Sequence, residues 1–369
     1  MININQLEKI LRMKIYDIAF IGLGASSLAT IKLKYSNSQL SIIGIDKELN
    51  SSRNNFFAFW LTDWMKSFEN IITQKWNKWS FHNGDIDITH TSDLRPYCVI
   101  RFQEWKRFCL ENINNINYKE RKVNKISKND DYYIITLDND ENIFAKKIYD
   151  SRSPDIKKDA LKQHFIGQII QTTKSHKMNI ATLMDFRVSQ EEGLHFMYCL
   201  PINENQILVE STIFSKNLLP NEWYKHQIRD YIGQQLQLEQ FEIIEEEKGI
   251  LPMYEIKNKD TDNYINIGTR GGATKISSGY AFSFFLRKLT QNINNYHSYW
   301  DEWMDKIFVH FLLNNHKTEH IFIRMSQSLT GDEFSSFMMG IADFKTKVKV
   351  ILSMPKKSFI KSFISSLLS

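Results

Sequence analysis

The chain has 369 residues, 42% hydrophobic and 24% charged, with a formal net charge of +5, a soluble globular composition with core enough for two lobes and a tail. No run of eighteen apolar residues could span a bilayer, and the lysines are spread among acids rather than gathered in a stripe, so no nucleic-acid partner is implied. Cys98, Cys109 and Cys199 are odd in number and lack metal-ligand spacing, which argues against both a disulfide framework and a zinc site.

The first residues, MININQLEKILRMK, carry Glu8 and neither a long apolar stretch nor a small-residue cleavage site, so the expected compartment is the cytoplasm. Ile15 to Ser27, IYDIAFIGLGASS, then reads as a buried strand, a phosphate turn and a helix start. Gly22 would permit the tight turn and Gly24 the close approach of a pyrophosphate, with the helix N-terminus holding the negative charge. Ser27 stands where a third glycine would be. A second apolar run, Leu40 to Ile45, ends in Asp46, placed to accept the ribose hydroxyls of a dinucleotide.

Aromatics crowd the next stretch, Phe56, Phe57, Phe59, Trp60, Trp64, Trp76, Trp79 and Phe81, as either a core layer or the wall of an apolar pocket. Pro96 to Glu111 has helical spacing in Phe102, Trp105, Phe108 and Cys109. Tyr132–Leu137 and Asn142–Tyr149 alternate around an acidic turn and predict a hairpin, ending in Asp150-Ser151-Arg152. From Gly167 to Ser215 the pattern is mostly of period two, an antiparallel sheet. Helical spacing covers Trp223 to Leu236. A strand from Phe241 to Glu245 runs into Gly249 to Met253, with Glu245-Glu246-Glu247 read as its solvated end. Tyr264 to Gly268 predicts a short strand, followed by a second glycine turn, Thr269 to Thr274, and a helix starting near Ser278. Everything from Phe282 onward reads as helical.

In these motifs the chain resembles the flavin-dependent lycopene cyclases of carotenoid biosynthesis, over nearly its whole length. The resemblance rests on the strand-Gly22-x-Gly24 opening, Ile148 to Arg152, Ala181 to Phe186 and Tyr198-Cys199-Leu200-Pro201. It continues through Leu208-Val209-Glu210-Ser211-Thr212, Lys248 to Met253, Ile267 to Gly272 with Ser278 to Phe282, and Met354-Pro355-Lys356. It implies an α/β (α+β) flavoprotein with a Rossmann-like FAD-binding domain of glutathione-reductase type, an antiparallel-sheet substrate domain and a helical C-terminal region. The implied segments are 14–53, 120–153 and 262–290 for FAD, 54–119 and 154–261 for substrate, and 291–369 for the helical region. The implied cofactor set is Gly22, Gly24, Ser27, Asp46, Asp150, Arg152, Gly268, Gly271 and Gly272, with NAD(P)H as reductant of FAD and no metal.

The family reaction protonates one end of a polyene, lycopene or a related terpenoid, and closes a ring through a carbocation stabilised by reduced flavin, with no net redox change. Glu210 matches the first acid of the family's acidic motif; on an apolar strand it would be desolvated and held protonated as the general acid, unless it sits on a polar strand face. Where the family has two consecutive acids this chain has Glu210 then Ser211, so the second acidic function is missing or has moved. A flavin monooxygenase or other oxidoreductase of the same fold is the alternative, although Gly268-Thr269 replaces the Gly-Asp pair expected of aromatic hydroxylases. A third reading is a pigment carrier, which would need no acid at position 210. His316-Lys317-Thr318-Glu319-His320 has the spacing of an inverted zinc-protease helix, but Asn314 and Asn315 point to a loop. Gly-x-Ser-x-Gly is absent. From Lys345 to Ser369 lysines interleave with apolar residues and no acid, a basic amphipathic end that either docks on the core or lies at a membrane surface.

Overall fold

A computed structural model describes residues 14–49, 55–356 and 359. The chain opens with β1 (Ile15–Ile21), turns at Gly22 and enters helix α1 (Ala25–Thr30), which widens into a π-helical stretch, Ile31–Tyr35, before β2 (Ile42–Asp46). It continues through β3 (Phe56–Trp60), a 3-10 helix over Asp63–Ile71, β4 (Gln74–Trp76), the hairpin of β5 (Lys78–Asn83) and β6 (Ile86–Thr91), β7 (Tyr97–Arg101) and α2 (Phe102–Leu110). Next come β8 (Ile116–Glu120), β9 (Val123–Lys128), β10 (Tyr133–Leu137), β11 (Asn142–Asp150), β12 (Lys162–Thr172), β13 (Ala181–Asp185), β14 (Leu194–Pro201) and β15 (Gln206–Ser215). Helix α3 (Asn221–Tyr231), β16 (Phe241–Pro252) and β17 (Tyr264–Asn266) lead to the helices α4 (Phe282–Thr290), α5 (Tyr299–Asn314), α6 (Glu319–Ser328), α7 (Gly331–Met338) and α8 (Phe344–Ser353).

β1 lies inside a sheet ordered β8-β2-β1-β11-β10-β9, with β17 added beside the end of β11. Ile18, Ala19, Phe20 and Ile21 are all buried, as a parallel strand covered on both faces requires. The register sets Ile21 level with Ile45 of β2 and with Asp150 of β11, and Asp150 level with Asn266 of β17. Four segments far apart in sequence therefore end along one edge, from which Gly22, Asp46, Ser151 and Gly268 emerge. That is the edge where open parallel sheets bind ligands.

A second sheet runs β16-β12-β15-β14-β13-β5-β6, antiparallel except where β13 meets β5. Its period-two alternation sorts two faces. Ile166, Cys199 and Val209 pack under Tyr224, Ile228 and Tyr231 of α3, while Phe196, Leu208 and Phe214 join the large core shared with the C-terminal helices. A small third sheet, β3-β7-β4, supplies Trp60, Tyr97 and Trp76 to the same core.

The expected hairpin, the antiparallel sheet and, over the described residues, the helical C-terminal region are all found. Four boundaries are not. The helix expected from Pro96 begins only at Phe102: Tyr97, Cys98, Val99 and Ile100 are all buried and pair with β3, and β4 flanks the same strand, so this stretch has no exposed helical face. The helix expected near Ser278 begins at Phe282, after Gly279 takes φ +78, a conformation no helix continues through. Glu245-Glu246-Glu247 lies inside the twelve residues of β16 rather than at a solvated end. β8 starts at Ile116 and so crosses the expected division at residue 120.

Candidate active site

Gly22 takes φ +80, and a Cβ there would lie 2.9 Å from Ser151 Oγ, so only glycine lets β1 turn this close to the end of β11. Ser151 Oγ donates to the Gly22 carbonyl (2.8 Å), and Ser27 Oγ donates to Ser151 Oγ (2.9 Å). The serine in place of the third glycine thus fastens α1 to β11. Asp46 accepts the backbone N–H groups of Leu23 (2.6 Å) and Glu48 (3.0 Å), which pins the turn from its other side. Gly24 faces open space, with no atom within 4 Å of where its Cβ would be, and no side chain caps α1. The first-turn N–H groups, which have no intrahelical acceptor, are left for an anion.

The second glycine turn is locked onto the first. Gly268 takes φ +62 against the Ser26 side chain. Asp150 is wholly buried and accepts from Arg152 Nε (3.0 Å) and Nη2 (2.6 Å), Tyr264 Oη (2.7 Å) and Arg270 Nε (3.1 Å). Burial would raise this carboxyl, but these partners together hold it below the usual carboxylate range. Asp150 and Arg152 are therefore a clamp behind the turns, with Arg270 bound into it. Gly24 and Gly268 lie on the wall of the adjoining cavity, whereas Gly22, Ser27, Gly271 and Gly272 shape the turns from behind.

The cavity, ≈ 2030 Å³, runs from Gly24, Ser151 and Gly268 along the open face of the second sheet to the C-terminal helices. A single small-molecule site occupies roughly 300–1,000 Å³, so this space takes a cofactor and a long ligand together. Both readings of the aromatic stretch hold in part: Trp60, Trp79, Phe81 and Trp105 are sealed in the core, while Phe56 and Phe57 line the cavity. Glu210 projects from β15 into this space, 8% exposed, not onto a solvated face. Burial pushes its carboxyl up to about 8, the charge of Glu247 adding to the effect and the Thr212 hydroxyl opposing it.

Three phenols that sequence reasoning missed stand beside it. Tyr198 is the cross-strand neighbour of Glu210, and its hydroxyl meets Tyr97 Oη (2.8 Å), which meets Tyr280 Oη (2.8 Å). Burial raises Tyr97 and Tyr198 well above the ordinary phenol value and Tyr280 likewise, so the string stays protonated. Alternation alone puts Tyr198 on the cavity face of its strand, but nothing local brings Tyr97 and Tyr280 to it. The His316 to His320 motif spans a break, since α5 ends at Asn314 and Lys317 takes φ +52 before α6. Among the described residues no group of three or more His, Cys, Asp or Glu could hold a metal ion.

The profile of the lycopene cyclase protein family matches residues 17–300. The lycopene beta-cyclase of Pantoea ananas is 25% identical over 260 residues, which is 66% of this chain and 64% of that protein. The match thus spans less than two thirds of that relative's length. The lycopene beta-cyclase of a Paracoccus species is 38% identical over 53 residues, 14% of either chain. Among solved structures, a geranylgeranyl bacteriochlorophyll reductase-like protein of Thermoplasma acidophilum superposes with a TM-score of 0.59 at 11% identity, covering 96% of this chain and 100% of that one. The flavin-dependent brominase Bmp2 gives 0.53 at 13% identity, covering 95% and 93%. The fold is the α/β flavoprotein fold that the sequence led us to expect.

Proposed function

We propose that this chain, which belongs to the lycopene cyclase family, closes a ring at the end of a long polyene by proton addition, with Glu210 as the acid and FAD held at the two glycine turns. The observation that carries this reading is a carboxyl buried in an apolar cavity wall and pushed up to about 8, which keeps a proton to give at neutral pH. The Glu210 O–H bond breaks as a C–H bond forms at the polyene end; the resulting carbocation is attacked by a neighbouring double bond, and loss of a ring proton restores a neutral product. One proton enters and one leaves, so the reaction is an isomerisation. The ring of Phe57 on the wall would stabilise the cation, and Leu208, Phe214 and Phe334 would keep water from quenching it.

The residues present fit FAD. The open position at Gly24 and the uncapped start of α1 suit the pyrophosphate. Asp46 ends β2 beside the turn and keeps lone pairs beyond the two it gives to backbone N–H groups, and Gly268 and Thr269 line the side where a flavin ring would lie. When bound and reduced, with NAD(P)H as reductant, FAD would supply negative charge near the carbocation.

A membrane surface is the proposed source of substrate. No helix among the described residues is long and apolar enough to cross a membrane, but α8 exposes Phe344 (79%), Leu352 (64%) and Ile351 (49%), and the latter two also line the cavity. Lys347 is tied to Asp301 (2.8 Å) and Lys349 to Glu333, so only part of the basic end is free for lipid headgroups. Phe359 stacks on Phe311, and residues 357, 358 and 360–369, including Lys357 and Lys361, lie outside the described residues. The function is tested by expression in a lycopene-accumulating bacterial host. Cyclised pigment is expected from the native chain, and none from Glu210→Gln, which retains its yellow flavin absorbance. Steady oxygen or NADPH consumption coupled to product would replace this reading with the oxidoreductase one.

A further inference from the structure

A second carboxylate reaches the same cavity, from a strand far from Glu210 in sequence. On β12, Gly167 pairs with Glu210 of β15 on one side and with Glu247 of β16 on the other. Residues directly opposed across neighbouring strands share a face, so Glu210, Gly167 and Glu247 form one row. A Cβ on Gly167 would lie 3.3 Å from Glu247 Cγ and 3.4 Å from Glu210 Cβ; the absent side chain is what leaves the two acids facing each other across a gap. Position 211 cannot supply this function. Ser211 points to the opposite face, where His195 Nε2 meets its hydroxyl at 2.9 Å among the residues beneath α3.

The three acids of β16 have separate fates. Glu245 is paired with Arg101 (2.9 Å), and Glu246 accepts from Gln168 Nε2 (2.9 Å) and Lys225 (3.2 Å). Glu247 forms no ion pair among the described residues. Burial raises its carboxyl to about 7, the Phe56 backbone N–H and Arg101 opposing and Glu245 adding to the rise. The phenols that face the pair are fixed over this range, Tyr97, Tyr198 and Tyr280 staying neutral, while His164, held down at about 4 by burial, lies on the opposite face against Tyr224. Further along the wall stand Lys47, Glu48, Lys248, Lys356 and Asp305, the last bound to Lys275.

Resting on the reading of Glu210 as the acid, we infer that Glu247 is its partner carboxylate: Glu247 takes up the proton that leaves the cyclised cation and returns it to Glu210 across the Gly167 gap. In the cycle Glu210 loses its proton to the polyene carbon, a ring C–H bond breaks to form the new double bond, and that proton bonds to the Glu247 carboxylate. Transfer from Glu247 to Glu210 restores the starting state, and no electrons are gained or lost.

The test uses Glu247→Gln and Glu247→Asp in the full-length, flavin-loaded protein. Glu247→Gln is expected to lower kcat by about 10²- to 10⁴-fold, the range of general acid–base catalysis, with KM within a factor of about two. The alkaline limb of kcat should move to lower pH, because the negative charge that lifts Glu210 is gone. Glu247→Asp should recover part of the turnover, and it carries the test alone if the glutamine variant fails to take up flavin. Wild-type kcat with an unmoved alkaline limb overturns the pairing. An infrared titration of the protonated-carboxyl band separates this from the proposed reaction, since it needs no turnover. The Glu210 midpoint should fall in Glu247→Gln, and Glu210→Gln should lose the component that titrates at about 8 while keeping the lower one of Glu247. If the chain cyclises no polyene the reaction is wrong, and the pairing then stands or falls on that midpoint.

Discussion

Beyond the role proposed for it in the chemistry, Glu210 shapes the pH dependence of stability. In the unfolded chain its carboxyl ionises near 4.5, while in the folded protein it keeps its proton up to about 8. Between those values the folded state binds more protons than the unfolded one, so stability falls as pH rises through the window, by on the order of a few kcal/mol at its upper end. Glu210→Gln cannot ionise and should flatten that fall. Thermal melts of both proteins across the window are expected to diverge in favour of the variant as pH rises, and parallel curves would refute a desolvated Glu210. This residue was legible in the sequence because it sits in an apolar motif on a period-two strand, although which face of that strand it takes was left to the structure. Glu247 was not. Three acids in a row look like a solvated end, and only the register of β16 against Gly167 turns one of them inward.

At the level of elements, Gly24 of the first turn and Gly271 of the second meet opposite constraints. Nothing stands near the Cβ position of Gly24, whereas a Cβ on Gly271 would strike the Asn266 carbonyl. Gly24→Val should therefore fold with near-native stability and lose flavin, because the added methyls occupy ligand space. Gly271→Ala should lose stability, by roughly 1–3 kcal/mol for overpacking against backbone, before flavin binding is considered. Flavin absorbance and a chemical denaturation curve for each variant distinguish the two effects; a Gly24→Val protein that stays fully yellow removes this turn from the site. The β1 turn was readable because a strand buried on both faces and two glycines leave a local signature. Tyr97–Arg101 was misread because the helical spacing of Phe102, Trp105, Phe108 and Cys109 begins directly after it, and the pairing that makes it a strand comes from β3 and β4. β8 went unseen because its alternation is only two apolar residues long, Ile116 and Tyr118, and β9 because Lys125 stands where alternation from Val123 would put an apolar side chain.

Over the whole molecule, register does what sequence proximity cannot. The two glycine turns come together, Gly268 against Ser26, because β1, β11 and β17 are parallel and end level, and the cavity beside them reaches α8 at the surface. If α8 meets lipid there, its apolar side chains carry the contact, since Lys347 and Lys349 are already paired. Replacing Phe344 and Leu352 together by serine should lower partition onto anionic vesicles by about tenfold or more, given roughly 1.5–3 kcal/mol for each large apolar side chain fully buried. Added salt should weaken binding only in part. Unchanged co-sedimentation of the double variant would return α8 to the role of a helix docked on its own core.

The size of the cavity has a further consequence, for the lifetime of the protein rather than its chemistry. Side chains from α4 to α8 and from the second and third sheets all face one space of ≈ 2030 Å³, so whatever fills it completes the interior of the chain. Ligands that bind only the folded form stabilise it by mass action, about 2.7 kcal/mol at a hundredfold excess over Kd, a sizeable share of the roughly 5–15 kcal/mol that holds a typical domain together. Supply of the ligands that fill the cavity would thus govern how long each copy survives proteolysis.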